Sequence, residues 1–96
     1  EISNGINILS KSSPVIKGNN VSIVITGTPG ASYIIEFYET ETKKAAYPGL
    51  EVTKADYSGI ASWNFKTEES CEPGNRKVII REKNSDKYIQ TAITVY

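Results

Sequence analysis

The dominant hydrophobic period along the chain is two. "NVSIVIT" sets Val21, Ile23 and Ile25 against Ser22, Val24 and Thr26, and "SYIIEFY" sets Tyr33, Ile35 and Phe37 against Ile34, Glu36 and Tyr38. "RKVIIREK" places Val78 and Ile80 on one side, with Lys77, Ile79 and Arg81 on the other. "YIQTAITVY" alternates Ile89, Thr91, Ile93 and Val95 with Gln90, Ala92 and Thr94. Such alternation, rich in β-branched residues, predicts half-buried strands. Ile6 with Ile8, Leu50 with Val52, and the run Ile60 to Lys66 predict three more. Turn chemistry separates these runs at Lys17-Gly18-Asn19, Thr28-Pro29-Gly30, Pro48-Gly49, Asp56-Tyr57-Ser58-Gly59, Glu72-Pro73-Gly74-Asn75 and Asn84-Ser85-Asp86. About seven short strands with turns between them predict an all-β fold, an antiparallel β-sandwich of two sheets.

The run from Ile60 to Lys66 holds the only tryptophan. On a strand, Ala61, Trp63 and Phe65 share a face opposite Ser62, Asn64 and Lys66. Trp63 is therefore expected in the core, with Ile23, Ile25, Ile35, Phe37, Phe65, Val78, Ile80 and Ile93. Gly59 is expected at positive φ, with Asp56 and Ser58 bonding the turn amides. "YETETKKAAY" has no apolar stripe and ends at a proline. It reads as a strand end running into a loop, with a short helical turn around Lys43 to Ala46. Glu1 to Gly5 reads as a frayed end or a junction.

Composition narrows the chemistry. The 96 residues suit one domain spanning 1–96, and 11 basic residues balance 11 acidic ones. No basic stripe is present for nucleic acid, and no apolar run reaches the ~20 residues that span a bilayer. The chain has no histidine, the usual proton carrier near neutral pH. Its one cysteine, Cys71, allows neither an internal disulfide nor a thiolate metal cage. Cys71 is expected as a loop thiol, protonated because acids and no cation flank it. The absence of methionine predicts a processed protein or one domain of a longer one.

Carboxylates gather at Glu36, Glu39 and Glu41 and again at Glu68, Glu69 and Glu72. Paired carboxylates run glycoside hydrolysis, but Glu36 alternates with apolar residues as a solvent-facing strand position does. No catalytic residue, cofactor or metal ligand is assigned. A weak calcium site near Glu68, Glu69 and Glu72 stays open, although no D-x-D-x-D-G loop exists. Asn20-Val21-Ser22 matches a glycosylation sequon. The remaining chemistry is aromatic. Tyr38, Tyr47, Tyr57, Tyr88 and Tyr96 fall on expected outer faces or loops. Of these, Tyr38, Tyr47, Tyr57 and Tyr88 are the candidate ligand-binding residues of a sugar- or protein-binding module.

Three segments, "GTPGASYIIEFY", "TKADYSGIASWNF" and "EPGNRKVIIRE", carry a resemblance. A Pro-Gly turn precedes an alternating strand. An Asp-x-x-Gly turn leads into a strand with an aromatic core residue, and a second Pro-Gly leads into another alternating strand. In these features, over about residues 14 to 95, the chain resembles the bacterial immunoglobulin-like (Big-type) domains of modular secreted and cell-surface proteins. It lacks the paired cysteines of antibody domains, as the bacterial type does. The resemblance implies an immunoglobulin-like sandwich, an extracellular bacterial location, and a non-catalytic spacer or presentation role beside neighbouring domains of the parent chain. The alternative is an adhesin that binds a glycan or a host protein through exposed tyrosines. Either way a monomer is expected, without nucleic acid, membrane insertion or a tight small-molecule ligand.

Overall fold

The computed structural model describes residues 5–45, 47–68 and 71–96. Seven strands occur among them: β1 (Asn7–Lys11), β2 (Asn20–Thr26), β3 (Ser32–Phe37), β4 (Thr53–Lys54), β5 (Ile60–Lys66), β6 (Gly74–Glu82) and β7 (Tyr88–Val95), with no helix. They form two antiparallel sheets, one ordered β1-β2-β5 and the other β4-β3-β6-β7. The alternation in the sequence decides which side of each strand meets the other sheet. Val21, Ile23 and Ile25 of β2 and Ala61, Trp63 and Phe65 of β5 are buried. They form one core with Tyr33, Ile35, Phe37, Val78, Ile80, Ile89, Ile93 and Val95 of the opposite sheet. All nine residues expected in the core are there.

The registers fix which end of the sandwich each turn occupies. Asn7 lies opposite Thr26 and Thr26 opposite Ile60, so β1 begins at the end that carries the Asp56–Gly59 turn. Val95 lies opposite Gly74, where β6 begins, so β7 finishes at the other end. The long axis of the molecule is 35 Å, against 21 and 20 Å across it.

Both open sides of the sandwich are closed by segments that leave the ladders. After β1 the chain crosses to the other sheet, through a cis Ser13-Pro14 peptide. There Val15 pairs with Val95 in parallel. Val15 N–H donates to the Thr94 carbonyl (2.9 Å), Tyr96 N–H to Val15 (3.0 Å) and Lys17 N–H to Tyr96 (3.2 Å). Lys11 reaches over the same side, its Nζ donating to Thr91 Oγ1 (2.6 Å) and to the Ala92 carbonyl (2.8 Å). Part of the free edge of β7 is thereby paired.

On the opposite side, Trp63 Nε1 donates to the Glu51 carbonyl (2.7 Å), tying the segment before β4 to β5. Gly49 lies against β5 at φ +96°, where any Cβ would run into the Asn64 carbonyl. This explains one departure from expectation. Leu50 and Val52 do not form a strand; only Thr53 and Lys54 pair with β3. The preceding residues are drawn across to β5 and cannot also remain in the β3 ladder. Leu50 still packs on the core, whereas Val52 is exposed.

The helical turn expected around Lys43 to Ala46 is a hairpin instead, as far as Ala45; Ala46 lies outside the described residues. Tyr38 bridges to Lys44, Glu39 N–H donates to the Lys43 carbonyl (3.0 Å), and Ala45 N–H donates to Phe37 (2.8 Å). Thr40 Oγ1 accepts from the amides of Thr42 and Lys43 at 3.3 and 3.0 Å, which closes the tip as side-chain-capped turns do. The Asp56–Gly59 turn follows expectation in its main points. Gly59 has φ +79°, and Asp56 Oδ1 accepts from the amides of Ser58 (2.9 Å) and Ile60 (3.0 Å). Ser58 takes part through its backbone N–H. Glu1 to Asn4 lie outside the described residues.

Candidate functional site

Tyr38, Tyr47, Tyr57 and Tyr88 do not form one site. Tyr47 is not at the surface as expected. It is buried against Phe37 and Phe65, with ring centroids 5.9 and 6.3 Å away. Its hydroxyl donates to Glu39 Oε2 (2.8 Å), and that partner is what allows a tyrosine to enter the core here. Tyr57 is at the other extreme. It stands fully exposed at the tip of the Asp56–Gly59 turn, beside an open depression shared with Pro29, Gly30 and Lys54. Tyr96 is exposed at the opposite end.

Tyr38 and Tyr88 do share a surface, the outer face of the four-stranded sheet. Tyr38 lies opposite Lys77 and Lys77 opposite Ala92; Ile34 lies opposite Arg81 and Arg81 opposite Tyr88. Glu36, Ile79 and Gln90 form the row between. The Lys77 ammonium sits over the Tyr38 ring, 4.3 Å from its centroid, a cation–π contact. Glu36 accepts from Arg81 Nη2 (2.9 Å) and from Lys44 Nζ (3.4 Å). Burial pushes the Glu36 carboxyl up, but the hydrogen bonds and charges of Arg81 and Lys44 outweigh it and hold the group below its ordinary value. The outer face of the three-stranded sheet presents Asn20, Ser22, Val24 and Thr26 on β2 and Ile60, Ser62, Asn64 and Lys66 on β5, with no aromatic residue among them.

Cys71 lies in the loop between β5 and β6, as expected, but there it is a fully buried member of the core. Burial, first of all, raises its pKa above the usual thiol value, and Arg76 opposes this as a nearby cation. The thiol is therefore protonated because it is buried, whereas neighbouring acids were the expected reason.

Arg76 itself is buried, at 6 %, and forms ion pairs with Glu41 (3.2 Å) and Glu72 (3.5 Å). Its Nε has no hydrogen-bond partner. Glu39, buried beside it in sequence parity with Phe37, pairs with Lys43 (3.2 Å). Glu36, Glu39 and Glu41 thus pair with different cations, and Glu72 shares Arg76 with Glu41. Among the described residues, no three His, Cys, Asp or Glu side chains come together to hold a metal ion. Glu69, part of the expected weak calcium site, lies outside those residues.

Comparison with known proteins gives no match to a family model and none to a curated protein. The likeness to bacterial immunoglobulin-like domains thus rests on the turn-and-strand pattern of the chain alone.

Proposed function

We propose that this β-sandwich is a non-catalytic module that spaces or presents neighbouring domains of a secreted or surface-attached bacterial protein. The observation that supports this most is the path of the chain. It runs into β1 at one end of a 35 Å axis and leaves β7 at the other, so copies joined in series add length. The resemblance to bacterial immunoglobulin-like domains favours the same role and an immunoglobulin-like assignment of the sandwich. The lack of histidine and the burial of the only thiol favour a non-catalytic role.

Tandem fusions of one, two and three copies test the proposal by small-angle X-ray scattering. Stacking end to end adds about 35 Å of maximum dimension per copy, whereas side-by-side packing adds about 20 Å. Increments near the shorter figure would remove the spacer role.

A further inference from the structure

The outer face of the four-stranded sheet carries more charge and more aromatic surface than the other, where Lys66 is the one charged residue among the β2–β5 pairs. Among the strand-paired positions of the four-stranded sheet's face, Lys44, Lys54, Lys77 and Arg81 are cations and Glu36 is the single carboxylate. The whole chain has zero formal charge, so this face carries an excess that the rest of the molecule balances. Glu36 is already engaged by Lys44 and Arg81. Lys77 and Lys54 have no ion-pair partner among the described residues. Arg81, with its side chain 47 % exposed, spends one guanidinium nitrogen on Glu36 and keeps further donors open. Between these charges lie apolar and aromatic surfaces: Ile34, Ile79, Tyr38 and Tyr88.

We propose that the outer face of the four-stranded sheet binds an acidic saccharide chain. Lys77, seated on the Tyr38 ring, and Arg81 hold its carboxylates, and Tyr88 supports a sugar ring face. Tyr38 and Tyr88 are two strands and four residues apart, about 16 Å from the usual strand spacing and rise. An extended oligosaccharide of several residues bridges that distance, whereas a monosaccharide does not. The charge excess selects an acidic chain over a neutral one. A peptide recognised by strand addition needs a free sheet edge. On this sheet the β7 edge is partly occupied by Val15 to Lys17, and the charges lie on the face. The contact is shallow and solvent-exposed, so it is weak and salt-sensitive. This inference does not depend on the spacer role.

The test is NMR titration of the 96-residue chain with an oligogalacturonate, a neutral malto-oligosaccharide of equal length, and poly-glutamate. The oligogalacturonate is expected to shift amides of β3, β6 and β7 around Lys77, Arg81 and Tyr88, and raised salt is expected to reverse the shifts. K77E and R81E each weaken the affinity about tenfold, as expected for loss of a charge-assisted contact. Y88A weakens it without changing the salt dependence. Backbone spectra verify that each variant folds, and the wild-type shift map does not depend on any variant. No shifts at millimolar oligomer, or shifts confined to other surfaces, would overturn the proposal. Equal binding of poly-glutamate would also overturn it, because the face would then be reading charge alone.

Discussion

Trp63→Ala probes both the core and the closure of one side of the sandwich. Trp63 is 3 % exposed and lies between Ala61 and Phe65 on the inward face of β5. An indole that buries ~200 Å² contributes at most about 5 kcal/mol at 25 cal/mol/Å². Truncation keeps the Cβ and leaves a cavity, so a loss of about 3–5 kcal/mol is expected. A domain of this length has about 5–14 kcal/mol of net stability, and the variant therefore loses a large share of it. Trp63→Phe separates the two roles of the side chain. It keeps most of the packing and removes the donor to the Glu51 carbonyl. Glu51 is exposed and its carbonyl can turn to water, so the variant should cost only about 1–2 kcal/mol. Urea titrations followed by far-UV circular dichroism measure both, since neither variant has a tryptophan to report. A loss below about 1 kcal/mol for Trp63→Ala, with an unchanged urea slope, would show that the side chain is not in the core. Equal losses for the two variants would show that the hydrogen bond, and not the packing, carries the effect.

The other predictions concern strain, charge and the thiol. Gly49→Ala should destabilise by more than about 2 kcal/mol, because it adds a Cβ clash to an unfavourable φ. Gly30→Ala, at φ +78° with open space around it, should cost only about 1 kcal/mol; thermal melts compare the two. The Glu36 carboxyl is held below its ordinary value of 4.5, so its contribution is present above that pH and lost as the pH falls through the folded-state value. Glu36→Gln should therefore be modestly destabilising at pH 7, by under about 1 kcal/mol, and nearly neutral at about pH 2–3; a loss that persists in acid would contradict the charge origin. Cys71 should resist iodoacetamide in the native state and react readily in denaturant, as mass spectrometry would record; fast native labelling would place the thiol at the surface.

Period-two parity made most of this fold legible, because in a two-layer sandwich each strand has one face that must be dry. The same parity extends to two charged residues. Arg76 falls in step with Val78 and Ile80, and Glu39 in step with Tyr33, Ile35 and Phe37, so both were marked as inward by position. Their charges argued for solvent, and only the three-dimensional neighbours, Glu41, Glu72, Lys43 and Tyr47, show how those charges are compensated. The burial of Tyr47 is hidden from the sequence for a related reason. Tyr47 sits in no strand, so no alternation marked it, and its burial depends on a hydroxyl partner that also comes from across the hairpin. The Tyr38–Tyr88 face needed the register of β3, β6 and β7. Each strand showed which residues point outward, but not which of them become neighbours.

The crossover after β1 also governs how the molecule bears load. The segment Val15 to Lys17 and the end of β7 run side by side in the same direction, joined by the Val15–Thr94, Tyr96–Val15 and Lys17–Tyr96 hydrogen bonds. Tension applied between the two ends of the sandwich drags these segments past each other along their length. The bonds then lie across the pulling direction and are sheared together, whereas a hairpin pulled open at one end parts one bond at a time. The fastener between the sheets is thus also a mechanical clamp, loaded directly from the β7 side and, through β1, from the other.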